Sequence, residues 1–159
     1  MVDVLTPEQR RHNMSRVRNK DTRPELLLRR GLHGRGLRFR LQRRDLPGRP
    51  DLVFPRHRVC LFVHGCFWHG HDCPLFRVPA TREEFWRTKI EGNQRRDKLA
   101  VAALLNSGWR VMVIWECATR GPGRLPTEEL LDRSIKFIRV SRCECADITG
   151  RFATKTVCL

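Results

Sequence analysis

Eleven consecutive residues, Val63-His64-Gly65-Cys66-Phe67-Trp68-His69-Gly70-His71-Asp72-Cys73, hold three of the chain's six histidines and two of its seven cysteines. Thiolates and neutral imidazoles converging on one point are the ligands of tetrahedral zinc. Cys66, His71 and Cys73 offer three in one short loop, and Gly65 and Gly70 leave the backbone free to wrap an ion. A structural site needs a fourth ligand. Cys117, at the end of a later strand-like run, is the foremost remote candidate, with Cys143-x-Cys145 as a rival nearer the C-terminus. The spacing matches no zinc-finger pattern. The competing reading makes these cysteines buried apolar residues, but it does not account for glycines clustered among ligand types. Zinc is the favoured reading.

A second constellation overlaps the first. The apolar run Val59-Cys60-Leu61-Phe62-Val63 ends on His64, and His69 follows in the loop. Asp51 opens the shorter run Leu52-Val53-Phe54, where a carboxylate has no packing role. Alone it reads as a solvated turn residue. If the two runs pair as a hairpin, Asp51 faces the loop carrying His64 and His69. A carboxylate beside imidazoles on a basic chain points to a magnesium-assisted nuclease. Mg²⁺ takes few protein carboxylates, leaves room for phosphate and water, and stabilises the charge of phosphodiester hydrolysis. Histidine titrates near neutrality and suits proton transfer from the attacking water.

Charge supports that substrate. The 159 residues carry 32 Lys and Arg against 17 Asp and Glu, a net charge of +15. Such a surface repels itself unless it meets a polyanion, and nucleic acid is the first partner to consider. The N-terminus lacks the apolar core of a secretory signal, and no apolar run reaches membrane-span length. An odd number of cysteines without an export signal implies reduced thiols in the cytosol.

The elements that must position these residues read in order. Thr6-Pro7-Glu8-Gln9 is a capping box with proline in the first turn, so a short helix runs to about Val17. Its thin apolar content, with Arg10, Arg11, Arg16, Arg18 and Lys20, makes residues 1–21 a basic arm suited to lie along DNA. Thr22 to Glu25 begins a second helix with Leu26, Leu27, Leu28 and Leu32 inward and Gly34 or Gly36 at its end; capping alone explains Glu25. Leu37 to Leu41 alternates apolar and basic residues as a half-exposed strand does, and Pro47-Gly48 marks a loop. Thr81-Arg82-Glu83-Glu84 is a third capping box opening the longest helix, which runs to about Asn106 before Gly108. Phe85, Ile90, Leu99, Ala102, Ala103 and Leu105 are expected inward, and Lys89, Asn93 and Arg96 outward. Trp86 lies near the outward side, where exposure and burial are equally weighted. Arg110 to Trp115 is a strand, Thr127 caps a last amphipathic helix, and the final twenty residues with Cys143, Cys145 and Cys158 are expected to be peripheral. The result is one α/β domain, residues 1–159, with a core over 22–140, a tail over 141–159 and a mixed sheet of about four strands flanked by helices.

The runs Leu46-Pro47-Gly48-Arg49-Pro50-Asp51, Val63 to His69, Val78-Pro79-Ala80-Thr81-Arg82, Gly108-Trp109-Arg110-Val111 and Trp115-Glu116-Cys117 resemble the very-short-patch mismatch repair endonuclease (Vsr) family. The resemblance covers most of the chain from about Asn13 to Gly121. It implies a restriction-endonuclease-like PD-(D/E)xK core in which histidine chemistry replaces the usual Glu-x-Lys. It also implies nicking of one strand 5′ of the thymine in a T:G mismatch, left when 5-methylcytosine deaminates in a methyltransferase site. On this resemblance Asp51 binds Mg²⁺, His69 acts on the attacking water, His64 supports it at the scissile phosphate, and Glu25 sits near the metal through water. Zinc falls on Cys66, His71, Cys73 and Cys117. Phe67, Trp68 and Trp86 match aromatics that wedge into the base stack, and Met14 helps from the other groove. Lys89 and Asn93 match positions that read the mismatch. A wobble pair stacks poorly, so wedging there costs less than at a Watson–Crick step. Val63 stands where the family often has threonine as a metal ligand; a backbone carbonyl would serve equally from valine.

The partners implied are double-stranded DNA with a T:G mismatch, a cytosine-5 methyltransferase as a functional link, and downstream repair proteins. The chain is expected to be a cytoplasmic bacterial monomer with no membrane association. Two rival readings stand beside this one. A non-catalytic zinc module could bind DNA through its basic face, but it has no use for Asp51 with His64 and His69. A restriction-like or broader-specificity mismatch nuclease would keep the chemistry and change the target, which depends on a few groove contacts.

Overall fold

The computed structural model describes residues 6–17 and 20–152; Arg18, Cys158 and the side chain of Arg10 lie outside them. The centre of the fold is β3 (Val59–His64), flanked by β2 (Leu52–Phe54) on one side and β4 (Arg110–Trp115) on the other. β1 (Arg40–Leu41) and β5 (Cys145–Ile148) are the edges, so the sheet runs β1-β2-β3-β4-β5. The first three strands are antiparallel neighbours, while β3–β4 and β4–β5 are parallel. Parallel neighbours need a helical crossover. α3 (Glu83–Asn106) follows β3 before β4, and α4 (Thr127–Arg139) follows β4 before β5.

Successive strand residues point to opposite faces, so β3 and β4 feed two cores. Val59, Leu61, Met112 and Ile114 pack with Leu28 and Leu32 of α2 (Arg23–Gly34) and with Leu130, Leu131 and Ile138 of α4. Cys60, Phe62, Val111 and Val113 pack with Leu104 of α3 on the other face. The sheet is thereby buried on both sides. By the same alternation His64 falls on the α3 face with Phe62.

Four details correct the sequence reading. The tail is not wholly peripheral, because Cys145–Ile148 adds a fifth strand beside β4, and Ile148 joins the core. α3 turns a different face inward than its apolar residues suggest: Phe85 is 45% and Leu99 66% exposed, and Ala102 is exposed as well. Thr81 does not cap α3 and Thr127 does not cap α4; Arg82 (φ +58°) and Pro126 hold the cap positions without a side-chain bond. The strand expected over Leu37 to Leu41 is realised only at Arg40–Leu41, both exposed, whereas the helix ends follow expectation more closely. Thr6 and Gln9 complete a capping box on α1 (Pro7–Ser15), Thr22 caps α2, and α3 closes at Gly108 (φ +76°).

Candidate active site and metal centre

Hydrogen bonds set the Asp51 carboxylate against the end of β3. It precedes β2, and its Oδ2 accepts from the Val63 backbone N–H at 2.7 Å. Burial is the main influence on this carboxyl and pushes it up to about 6, with Glu25 adding repulsion. Glu25 is 3% exposed near the start of α2. Its carboxylate accepts from the Asp21 N–H (3.0 Å), the Thr22 hydroxyl (2.9 Å) and Arg29 (2.9 Å). Capping therefore does explain how Glu25 is held, as its position in the helix suggested. It also lines the cleft with Asp51, close enough to raise that carboxyl, and two such carboxylates are oxygen ligands of the kind a hard divalent cation takes.

His64 and His69 lie next to this pair. Their rings stack with centroids 3.8 Å apart and planes within 2°. His64 is 7% exposed, and burial first, then His69, pushes its imidazole down to about 3, so it is neutral near pH 7. Its Nδ1 is enclosed without a hydrogen-bond partner, which leaves Nε2 as its working nitrogen. His69 differs: its Nδ1 lies 2.5 Å from Asp97 Oδ2 on α3. An ionised carboxylate only accepts, so Nδ1 carries the hydrogen and Nε2 presents a lone pair. The same three residues, His64, His69 and Asp97, bring their ligand atoms within 4.8 Å of one another.

Asp97 escaped the sequence reading, and the reason is the phase of α3. The inward stripe is Ile90, Asn93, Gln94, Asp97, Val101 and Leu104, spaced by three and four as one helical face requires. Three of its members are polar because they serve the loop. Asn93 Nδ2 donates to the Trp68 carbonyl (2.7 Å) and Gln94 Nε2 to the His69 carbonyl (3.1 Å). Asn93 was expected to face solvent; it is half-buried, with Arg96 donating to its other amide atom. Lys89 and Arg96 are exposed as expected. The spacing of Asp97 from Asn93, four residues on, was the available signal.

The cleft formed here has a volume of about 950 Å³ and is lined by Glu25, Asp51, Val63, His64, His69 and Asp97, with Met14 of α1 reaching its rim. Aromatic rings crowd its mouth. Phe67 stands 5.1 Å from Trp68 and 5.4 Å from Trp86, and Trp86 stands 5.3 Å from Phe85. Trp86 is half-buried in this cluster and belongs to neither core. The Lys89 ammonium lies over Trp68 at 5.6 Å. Met14, at 44% exposure, and Phe85 leave apolar surface open beside the cleft, where planar rings and cations suit stacked bases and phosphates.

Behind the same loop, Cys66, His71, Cys73 and Cys117 converge with all ligand atoms within 4.8 Å. His71 Nδ1 is 3.7 Å from Cys66 Sγ and 3.5 Å from Cys117 Sγ. With Zn–S about 2.3 Å and Zn–N about 2.0 Å, the edge of a tetrahedron is about 3.6 Å, so the donor set has the dimensions of a zinc site. Backbone N–H groups of Cys117 and Gly150 donate to Cys66 Sγ and Cys117 Sγ, each at 3.3 Å, as they do to thiolates. Hydrogen bonding from the Cys66 thiol, followed by His71, pushes the Cys117 thiol down to about 4. His71 also stacks on Trp115 at 4.3 Å. Cys143 and Cys145, the rival pair, are not in this cluster.

An α/β/α sheet with a carboxylate pair and an imidazole pair at one strand end, set under an open basic and aromatic mouth, defines a restriction-endonuclease-like nuclease. The family profile described as DNA mismatch endonuclease Vsr matches residues 2–75. The DNA mismatch endonuclease Vsr of Escherichia coli is 47% identical over 138 residues, 87% of this chain and 88% of that protein. The type II nicking enzyme V.XorIIP of Xanthomonas oryzae pv. oryzae is 54% identical over 125 residues, 79% of this chain and 92% of that protein. V.NmeAIP of Neisseria meningitidis, also a type II nicking enzyme, is 34% identical over 139 residues, 87% of this chain and 98% of that protein. The chain belongs to the Vsr family of DNA mismatch endonucleases. Among the described residues no helix is long and apolar enough to cross a membrane.

Proposed function

We propose that this protein is a Mg²⁺-dependent DNA endonuclease that nicks one strand 5′ of the thymine in T:G mismatches produced by deamination of 5-methylcytosine, and that a structural zinc supports its site. The carrying observation is the His69–Asp97 bond in the same cleft as Asp51 and His64. A binding module has no use for an imidazole oriented by a carboxylate; a hydrolase does.

Asp51 and the Val63 carbonyl would hold Mg²⁺, with Glu25 reaching it through water, and the bound ion would neutralise phosphate charge and acidify water. The chain's own groups do the rest. His69 accepts a proton from the attacking water at Nε2, and Asp97 stabilises the imidazolium that results. His64 stays neutral, because burial and its stacked neighbour oppose a second charge. A proton on its Nε2 leaves only an unused lone pair at the enclosed Nδ1 and lets His64 donate to a phosphate oxygen. Phe67, Trp68 and Trp86 would enter the weak stack at the wobble pair, Met14 would approach from the opposite groove, and Lys89 would meet phosphate or base edge. Cys66, His71, Cys73 and Cys117 would hold zinc and so fix the loop that bears His69 and the wedge.

The test is a labelled duplex with one T:G mismatch in a methyltransferase-type site, compared with a matched duplex and with the mismatch in scrambled context, with and without Mg²⁺. One nick 5′ of the mismatched thymine, absent from the matched duplex, is expected. Asp51→Ala and His69→Ala should abolish nicking and retain mismatch binding. Cleavage of every duplex would keep the nuclease and discard mismatch specificity; binding without cleavage in any divalent metal would return the case to a zinc-containing binding module.

A further inference from the structure

Among the described residues, five non-glycine positions adopt left-handed backbone: Asp21, Gln42, Arg49, Arg58 and Arg82. Such conformations persist in side chains with a Cβ where the surroundings compel them, and they gather at functional sites. Two of the arginines have evident structural uses. Arg58 donates to the carbonyls of Gly108 and Ser107 and lies over Trp109. Arg82 opens α3 and lies over Phe85.

Arg49 (φ +51°) has no such use. It follows Gly48 (φ +72°), so two consecutive residues are left-handed, and it precedes buried Pro50 and then Asp51. The turn is tightly held. A Cβ on Gly48 would come within 2.7 Å of the Ala100 Cβ on α3, and the Arg49 N–H donates to the Leu46 carbonyl. Arg49 lines the same cleft as Asp51, His64 and His69. The other cations of that cleft are engaged: Lys89 lies over Trp68, Arg96 donates to Asn93, and Arg120 pairs with Glu116 at 2.6 Å. Among the described residues the Arg49 guanidinium has no hydrogen bond, ion pair or ring contact.

The geometry points to Arg49 as a further catalytic residue, whose guanidinium grips a non-bridging oxygen of the scissile phosphate and offsets the charge that builds as water attacks. The assignment rests on the nuclease reading above. A planar fork of N–H donors matches a phosphate better than an ammonium does, and fixed donors aimed at developing charge lose nothing to reorganisation. The held turn fixes where the Arg49 side chain leaves the backbone, two residues from Asp51, and its unpartnered guanidinium is free to close on the phosphate. The left-handed backbone sets the direction of the side chain, which a relaxed strand entry would not.

The test compares Arg49→Ala, Arg49→Lys and Arg49→Gly by single-turnover nicking of the T:G duplex and by equilibrium binding to it. Arg49→Ala should nick about 100-fold or more slowly, while its affinity falls by much less. Ethylguanidinium should restore part of the Arg49→Ala rate and leave the wild type unchanged. Arg49→Lys should recover affinity without recovering rate. Arg49→Gly should show the same rate loss with a melting temperature at or above wild type, because glycine tolerates the left-handed backbone. Stability and activity then move in opposite directions, which a merely structural residue does not do. Nicking by Arg49→Ala at the wild-type rate, or equal losses in rate and affinity, overturns the assignment. Failure of the wild type to nick with any divalent metal overturns the nuclease reading and this assignment with it; intact wild-type nicking separates the two failures.

Discussion

Replacing Asp97 tests the proton-transfer geometry most directly. Asp97 Oδ2 sits 2.5 Å from His69 Nδ1, and the two side chains are 28% and 23% exposed. When His69 takes a proton, the contact becomes an ion pair. Unit charges at about 4 Å in a medium of effective dielectric about 20 attract by about 4 kcal/mol. Discounting for the solvent that reaches both groups leaves about 2–3 kcal/mol. At 1.4 kcal/mol per tenfold, Asp97→Ala should slow single-turnover nicking by about 30- to 150-fold. Asp97→Asn should be worse although it is closer in shape. Its amide can turn to donate to Nδ1, which drives the ring hydrogen to Nε2 and removes the lone pair that accepts from water. A loss above about 1000-fold is expected, in line with tautomer inversion at other carboxylate-oriented histidines. Both variants should bind the mismatched duplex and melt within a few degrees of wild type. An Asn variant faster than the Ala variant would refute the tautomer argument; wild-type rates in both would remove Asp97 from the mechanism.

Other perturbations reach the remaining parts of the site. Stripping zinc, or Cys117→Ser, should remove at least about 3 kcal/mol of folding free energy, because the ligand atoms tie the end of β4 to the loop after β3; metal analysis should find one zinc per chain, unchanged in Cys145→Ser, and a zinc-free protein with the wild-type melting temperature would refute this. Asn93→Leu should loosen the Trp68 carbonyl and lower the preference for T:G over T:A duplexes, read as a ratio of affinities; an unchanged ratio would confine Asn93 to packing. In the absence of Mg²⁺, stability should respond to pH through two opposed groups. His64, at about 3 when folded, makes the unfolded chain bind more protons from about pH 3 to its ordinary 6.5, so stability there rises with pH. Asp51, at about 6 when folded, makes the folded chain bind more protons between 3.8 and 6, so stability there falls with pH. The two slopes should nearly cancel from about pH 4 to 6. Asp51→Asn should expose the His64 slope, measured as a denaturation midpoint that drops steadily from pH 6.5 to 4. An equally flat profile in that variant would refute the neutral, buried His64.

How far the chain could be read without coordinates depended on where polarity and packing agreed. β3 and β4 are continuous apolar runs because both faces are covered, and such runs stand out. Thr6 with Gln9, and Thr22 with Glu25, form local hydrogen bonds that need no tertiary context. β5 had no such signature. Its burial pattern retains only Ile148 as a fully buried residue, and the strand exists because the β4 edge offers it partners from Val111 to Ile114. Thr81 failed as a cap for a related reason: the chain enters α3 through a left-handed Arg82, a geometry dictated by the loop before it.

The misreading of α3 carries the most information about the site. A search for an apolar stripe rotates the helix onto Phe85, Leu99 and Ala102, which are exposed, because the true inner stripe has given three places to Asn93, Gln94 and Asp97. Each of the three spends its side chain on the loop between β3 and α3: two on its carbonyls and one on His69. Val101 and Leu104 then anchor only the far half of the helix to the sheet. The near half is held by buried Ile90 and by hydrogen bonds to a loop whose other side is the four-ligand cluster. The position of His69 is therefore set from two directions, by α3 through Asp97 and by the Cys66–His71–Cys73–Cys117 cluster through the loop backbone. Loss of either support should slow nicking through the same imidazole: loss of the four-ligand cluster's metal should act on stability and rate together, whereas Asp97 substitution should act on rate alone, and that difference separates scaffold from chemistry in one pair of measurements.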